Sequence, residues 1–209
     1  MAPLDEDKVR TDLPVRRPKQ RLLDAALALF DEEGFHAVGI DRILRQANVA
    51  KMTLYNHFPS KQALIVAVLE IKLEDYFAWL QGLLDAAEPT PRARLLAVFD
   101  AMSLWHGGAD FKGCLFLKAS GEFPRYEDPV HQIAAEHKYR SLTLLTDLAR
   151  EAGAESPRLL AQRLLLLCEG ATSLAQVLGG NEAARQARDT AALLLRQMLP
   201  AESQAQAAE

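Results

Sequence analysis

Apolar residues recur along this chain at helical spacing, and nowhere do they alternate as in a strand. Leu22, Leu23, Ala26, Leu27, Leu29 and Phe30 predict a helix that Gly34 stops, and Phe35 and Val38 cross a short connection. Ile40, Ile43, Leu44 and Ala47 then follow the i, i+3, i+4, i+7 rule until Asn48 interrupts it. Asparagine is one of the few side chains that accept a left-handed backbone, so Asn48 suits a sharp turn, with Val49 plugging it from inside. A second short helix over Ala50–Phe58 needs only Leu54 and Phe58 for its core side. Ser60 is a natural cap for a long helix over 61–86. Further on, Thr90-Pro91, Asp128-Pro129 and Ser156-Pro157 repeat one start signal, a capping side chain followed by proline at the first helical position. Gly107-Gly108, Gly153 and Gly179-Gly180 supply the stops, residues 111–123 form a short apolar piece, and Asn181 opens a last helix that ends at Leu199. The expected fold is all-α.

Two short helices across a tight turn, the second rich in hydrogen-bond donors, describe a helix-turn-helix. With Leu54 and Phe58 turned inward, Lys51, Thr53, Tyr55, Asn56 and His57 are left to point elsewhere. Lysine can donate to guanine or phosphate, the hydroxyls of Thr53 and Tyr55 suit phosphate oxygens, and Asn56 or His57 can do either. Lys61 opens the next helix, where charge and helix dipole both favour an anion. The run Thr53-Leu54-Tyr55-Asn56-His57-Phe58-Pro59-Ser60-Lys61 resembles the N-terminal DNA-binding domain of the TetR (tetracycline-repressor-like) family. That resemblance implies operator contacts from Thr53, Tyr55, His57 and Lys61, and places Lys51 and Met52 where members vary and base choice is set. The chain departs from the family pattern twice. Val38 and Gly39 stand where hydroxyl residues usually cap the helix corresponding to Ile40–Ala47, so a phosphate contact there falls to backbone N–H groups. Asn48 stands where the turn usually has glycine.

Charge changes this picture only through its distribution. The net charge of −4 alone argues against nucleic acid, yet residues 14–61 hold eight Lys/Arg against five acids, and residues 62–209 hold 14 against 19. The sign turns over where the motif ends. Residues 1–15 read as a disordered arm, 16–61 as the DNA-binding domain, 62–200 as a helical effector-binding and dimerisation domain, and 201–209 as a flexible tail. Arg16, Arg17, Lys19 and Arg21, read as lying directly before the first helix, suit either a DNA-reaching arm or a solvated helix start. No long apolar run indicates a membrane span or signal peptide, and two cysteines, Cys114 and Cys168, offer no disulfide framework or zinc site. A cytoplasmic protein is expected.

The second domain carries the resemblance only in length and helix number. There the family implies a homodimer and often an enclosed small effector. Helix 157–178 is apolar nearly all round, through Leu159, Leu160 and Leu164 to Leu167, and so must be buried on more than one side. Helix 181–199 offers Ala183, Ala184, Ala187, Ala191, Leu194, Leu195 and Met198 as a second face for a four-helix contact between two copies. Candidates to line an apolar pocket are Phe99, Met102, Trp105, Phe116, Phe123, Tyr126 and Tyr139, with His106, His137, Cys168 or Glu169 as polar orienters. Aromatic residues at helical spacing are more often plain core. Thiol oxidation is a further mode of response, although cysteines flanked by leucine or glycine are usually inert. No metal is expected, since His131, Glu136 and His137 match no common ligand set. A helical-bundle enzyme would need Glu-x-x-His pairs, and the only such spacing, Glu33–His36, straddles Gly34 at a helix end. A helical adaptor that binds only protein would leave the donors at 51–61 unexplained. The reading is therefore a homodimeric DNA-binding regulator of a palindromic operator, expected to be a repressor. It needs no cofactor, and a small apolar or amphipathic effector shifts the helix 61–86.

Overall fold

A computed structural model describes residues 17–200. Among these, nine helices and no strand are found: α1 Pro18–Glu33, α2 Ile40–Ala47, α3 Lys51–His57, α4 Lys61–Ala86, α5 Pro91–His106, α6 Leu115–Glu122, α7 Pro129–Glu151, α8 Pro157–Leu178 and α9 Glu182–Met198. The segments expected as an arm over 1–15 and a tail over 201–209 lie outside the described residues, as does Arg16.

Thr90 and Asp128 cap their helices from an extended backbone. Thr90 Oγ1 accepts from the Ala93 N–H at 3.2 Å, Asp128 Oδ1 from Val130 N–H at 2.8 Å, and Ser60 Oγ from Ala63 N–H at 3.1 Å. Ser156 and Asn181 make no such bond, because their φ/ψ values of −127/74° and −108/10° swing the side chain away from the first turn. The Asn181 amide lies instead against Gly107, where a Cβ would come within 3.3 Å of it. Helix α1 begins at Pro18, so Lys19 and Arg21 sit on the helix rather than before it. The Lys19 ammonium lies 5.9 Å from the centre of the Phe58 ring, and Arg21 Nε is buried without a partner. The apolar piece at 111–123 resolves into α6 and an irregular lead-in over 111–114.

Two compact units meet at Leu64 and Ile65, inside α4. In the first, α1 packs on α2 and α3 around Leu22, Phe30, Phe35, Val38, Ile43 and Leu54. The Phe30 and Phe35 rings are 5.1 Å apart, and an exposed Arg42–Glu33 ion pair ties α2 to the end of α1. In the second, a core of leucine, alanine and phenylalanine joins Leu80 and Leu84 of α4 to α5, α7, α8 and α9. The small residues of α9 are used here: Ala184, Ala187, Ala191 and Leu195 are buried within the chain, and Ala183, Leu194 and Met198 pack on the same core. The expected second dimer face on α9 is thus consumed internally, leaving Leu193 as its one exposed large apolar residue.

Candidate nucleic-acid interface and ligand cluster

Asn48 closes α2 with φ 49° and ψ 56°, a left-handed residue, and its N–H and that of Val49 return to the last turn of α2. Val49 is half-buried. Three residues later α3 begins. At about 100° per residue its seven positions, together with Phe58 just past the end, fall into four pairs four apart. Leu54 is fully buried and Phe58, just past the end, nearly so, which fixes the inward side. Opposite them stand Met52, 73% exposed, and Asn56, also exposed. Lys51 and Tyr55 form one flank of this outward face, Thr53 and His57 the other. Lys51 Nζ is 3.8 Å from Asp41 Oδ1 on α2, an exposed and weakly held pair. Lys61 is half-buried at the first position of α4, one residue after its Ser60 cap. The six expected DNA contacts thus lie on the outward side of α3 and at the start of α4. Met52, which the resemblance places where base choice is set, stands at the centre of that side.

The pocket candidates scatter. Phe99 and Met102 belong to the leucine core. Tyr126 is 80% exposed, edge-on to His131, and Tyr139 is exposed as well, so neither lines an interior cavity of the chain. Phe123 is half-buried, and its carbonyl is 2.8 Å from His131 Nδ1. Phe116, His137 and Cys168 do come together, around α4. The His137 imidazole stacks on Phe116 with centroids 4.2 Å apart and planes at 15°, with Tyr76 at 4.8 Å and Phe77 at 5.8 Å. His137 is 5% exposed, its Nδ1 has no partner, and burial pushes it down to about 3. Burial likewise pushes the Cys168 thiol up to about 12 and raises the Tyr76 hydroxyl well above its ordinary value. Burial thus favours the Cys168 thiol over the thiolate that oxidants attack. Glu169 is held by Lys138 at 2.7 Å. Trp105 stands apart, beside His106 and Phe111.

Comparison with known proteins bears on both units. Residues 22–68 match the family of bacterial regulatory proteins called tetR, and residues 91–191 match the tetracyclin repressor-like C-terminal domain. The HTH-type transcriptional repressor NemR of Escherichia coli is 30% identical over 139 residues, 66% of this chain and 69% of NemR. The chain belongs to the TetR family. The HTH-type transcriptional regulator YjdC of Escherichia coli is 23% identical over 155 residues, 74% of this chain and 81% of YjdC. A TetR-family transcriptional regulator from Streptomyces coelicolor, SCO4454, superposes with a TM-score of 0.82 at 29% identity, over 87% of this chain and 95% of its own.

This TetR-family chain is accordingly a DNA-binding transcriptional regulator with an N-terminal helix-turn-helix domain and a helical C-terminal domain, and not an enzyme. The residues of its His137 cluster that sequence reasoning left out are Tyr76 and Phe77, on α4. Tyr76 fits the helical period of α4 as ordinary core, so only its neighbours across the fold distinguish it. No helix among the described residues is long and apolar enough to cross a membrane.

Proposed function

We propose that this regulator is a cytoplasmic repressor that binds a palindromic operator as a homodimer and leaves it when a small amphipathic effector occupies the second unit. One observation carries the DNA half: the division of α3 into a buried pair, a central outward pair and two polar flanks. In a major groove the central Met52 and Asn56 would face base edges, where methionine suits a thymine methyl group and asparagine suits adenine. Lys51 and Tyr55 on one flank, and Thr53 and His57 on the other, would meet the two phosphate walls. Lys61 would add a phosphate contact from the start of α4.

For the dimer, support comes from α8. Leu160, Ala161, Leu164, Cys168, Ala171 and Ala175 face the chain's own core, while Leu159, Leu166, Leu174, Val177 and Leu178 are exposed. Gly170 lies in the same exposed stripe with nothing near its missing Cβ, so a second helix can approach closely. A stripe this apolar is of the kind that association buries. For the effector, the aromatic walls around the unpartnered Nδ1 of His137 suit a molecule with an apolar body and one polar group. Release requires that this molecule bind the DNA-free form more tightly than the bound one.

Titrating operator binding against salt tests the DNA contacts. Lys61→Ala should weaken binding to all duplexes and flatten the log–log salt slope by about one, and Tyr55→Phe should weaken binding without changing base preference. An unchanged slope for Lys61→Ala would remove the phosphate assignment.

A further inference from the structure

Between Ile40 and Lys61 the chain carries Arg42, Arg45, Lys51 and Lys61 and a single acid, Asp41. A carboxylate on a surface that meets phosphates repels them, so its place there needs a reason. Ile43, Leu44 and Ala47 take the inward side of α2, which leaves Asp41 exposed. The next residue, Arg42, is held by Glu33 at the end of α1. Asp41 reaches the recognition helix instead: its Oδ1 lies 3.8 Å from Nζ of Lys51, the first residue of α3. The carboxylate thus stands at the edge of the outward face of α3, beside the flank of Lys51 and Tyr55. An ion pair this open contributes little to folding, so stability does not account for the contact. Gly39 gives α2 no capping side chain, and an acid in the first turn suits the helix dipole, yet that role does not require Asp41 to lie against Lys51.

Base edges give it a more specific one. A carboxylate can only accept hydrogen bonds. In the major groove guanine shows two acceptors, thymine an acceptor and a methyl group, and adenine an acceptor beside its amino group. Cytosine shows only its N4 amino donor. It is therefore the one base on which a carboxylate meets a donor and no acceptor. The Lys51 ammonium has three donors, so it can hold a phosphate, as proposed above, and still balance the charge of Asp41.

We propose that Asp41 is a specificity-determining residue, a role that rests on α3 lying in a major groove. Its carboxylate accepts from the N4 amino group of one cytosine in each half-site and disfavours the other three bases at that position.

Duplex selection from a random pool with the full-length parent, Asp41→Ala and Asp41→Asn tests this, followed by titration of the recovered duplexes. The parent should return half-sites with one fixed C·G pair and prefer it about tenfold over T·A there. Asp41→Ala should reduce that preference to within about twofold and leave the rest of the consensus unchanged. Asp41→Asn should move the preference to A·T, since a carboxamide pairs with adenine N6 and N7. The asparagine variant keeps the size of the side chain and decides the matter if the alanine variant folds poorly. One consensus shared by all three chains, even with uniformly weaker binding by the variants, would overturn the assignment and confine Asp41 to the helix dipole. A parent consensus without a fixed cytosine would overturn it as well. A parent that enriches no sequence would instead remove the major-groove reading, and this role with it.

Discussion

Asn48 holds the turn between α2 and α3 at φ 49°, where a Cβ-bearing residue ordinarily pays about 1–2 kcal/mol and asparagine pays less. Asn48→Val should therefore destabilise the chain by about that amount in urea unfolding, and Asn48→Gly should leave it unchanged or slightly more stable. Equal midpoints for the valine and glycine variants would contradict the turn assignment. The buried histidines make a second prediction at this scale. His106 and His137 are pushed from an ordinary 6.5 down to about 4 and about 3. The unfolded chain takes up protons below 6.5 that the native chain refuses. Their contribution is thus complete above about pH 6.5 and is lost as pH falls from there toward the native values, at up to about 1.4 kcal/mol per pH unit for each ring. His137→Phe should lose less stability than the parent between pH 7 and pH 5, and an identical loss would mean the ring already charges in the folded state. Asn48 was readable from the chain because its reason is local. His137 was readable only as a polar residue in an apolar context, since its partners Tyr76, Phe77 and Phe116 come from other helices. Tyr126 and Tyr139 show the opposite failure: aromatic identity suggested a wall, and burial, which a residue's type does not set, placed both outside.

At the scale of the element, helix boundaries were legible wherever two signals coincided, proline at the first position and a glycine at the end. Caps were less so. Ser156 and Asn181 have the right side chains but the wrong φ/ψ, a property set by how the preceding loop arrives. Helix α8 was expected to be buried on two sides, and one of those sides is covered within the chain while the other is open. For α9 the alanines looked equally available to a partner, yet they are small so that α5 and α8 can approach it. The proposed dimer therefore rests on the α8 stripe. Leu166 is 73% exposed there, so Leu166→Glu should cost the isolated chain little stability while adding a charge that cannot be buried against a second copy. Sedimentation should show a monomer with an undiminished helical circular-dichroism signal. A stable dimer of this variant would place the interface elsewhere.

Across the whole molecule, the division of labour was visible in two features of the chain, a change in the sign of charge after residue 61 and a donor-rich run just before it. Both are consequences of phosphate being the partner of one unit only. What the second unit would recognise was not visible, because pocket chemistry depends on which side chains from distant helices are left without partners. His106 and His137, some 30 positions apart, are the two that the described residues bury with an open Nδ1. The central claim, that α3 reads duplex DNA while the second unit pairs two copies, is tested most directly by selecting bound duplexes from a random pool with the purified chain. The account predicts an inverted repeat whose half-sites lie about one turn of duplex, roughly 34 Å, or a multiple of it apart. Recovery of an unrepeated single site, or of no enriched sequence even at low salt, would contradict it.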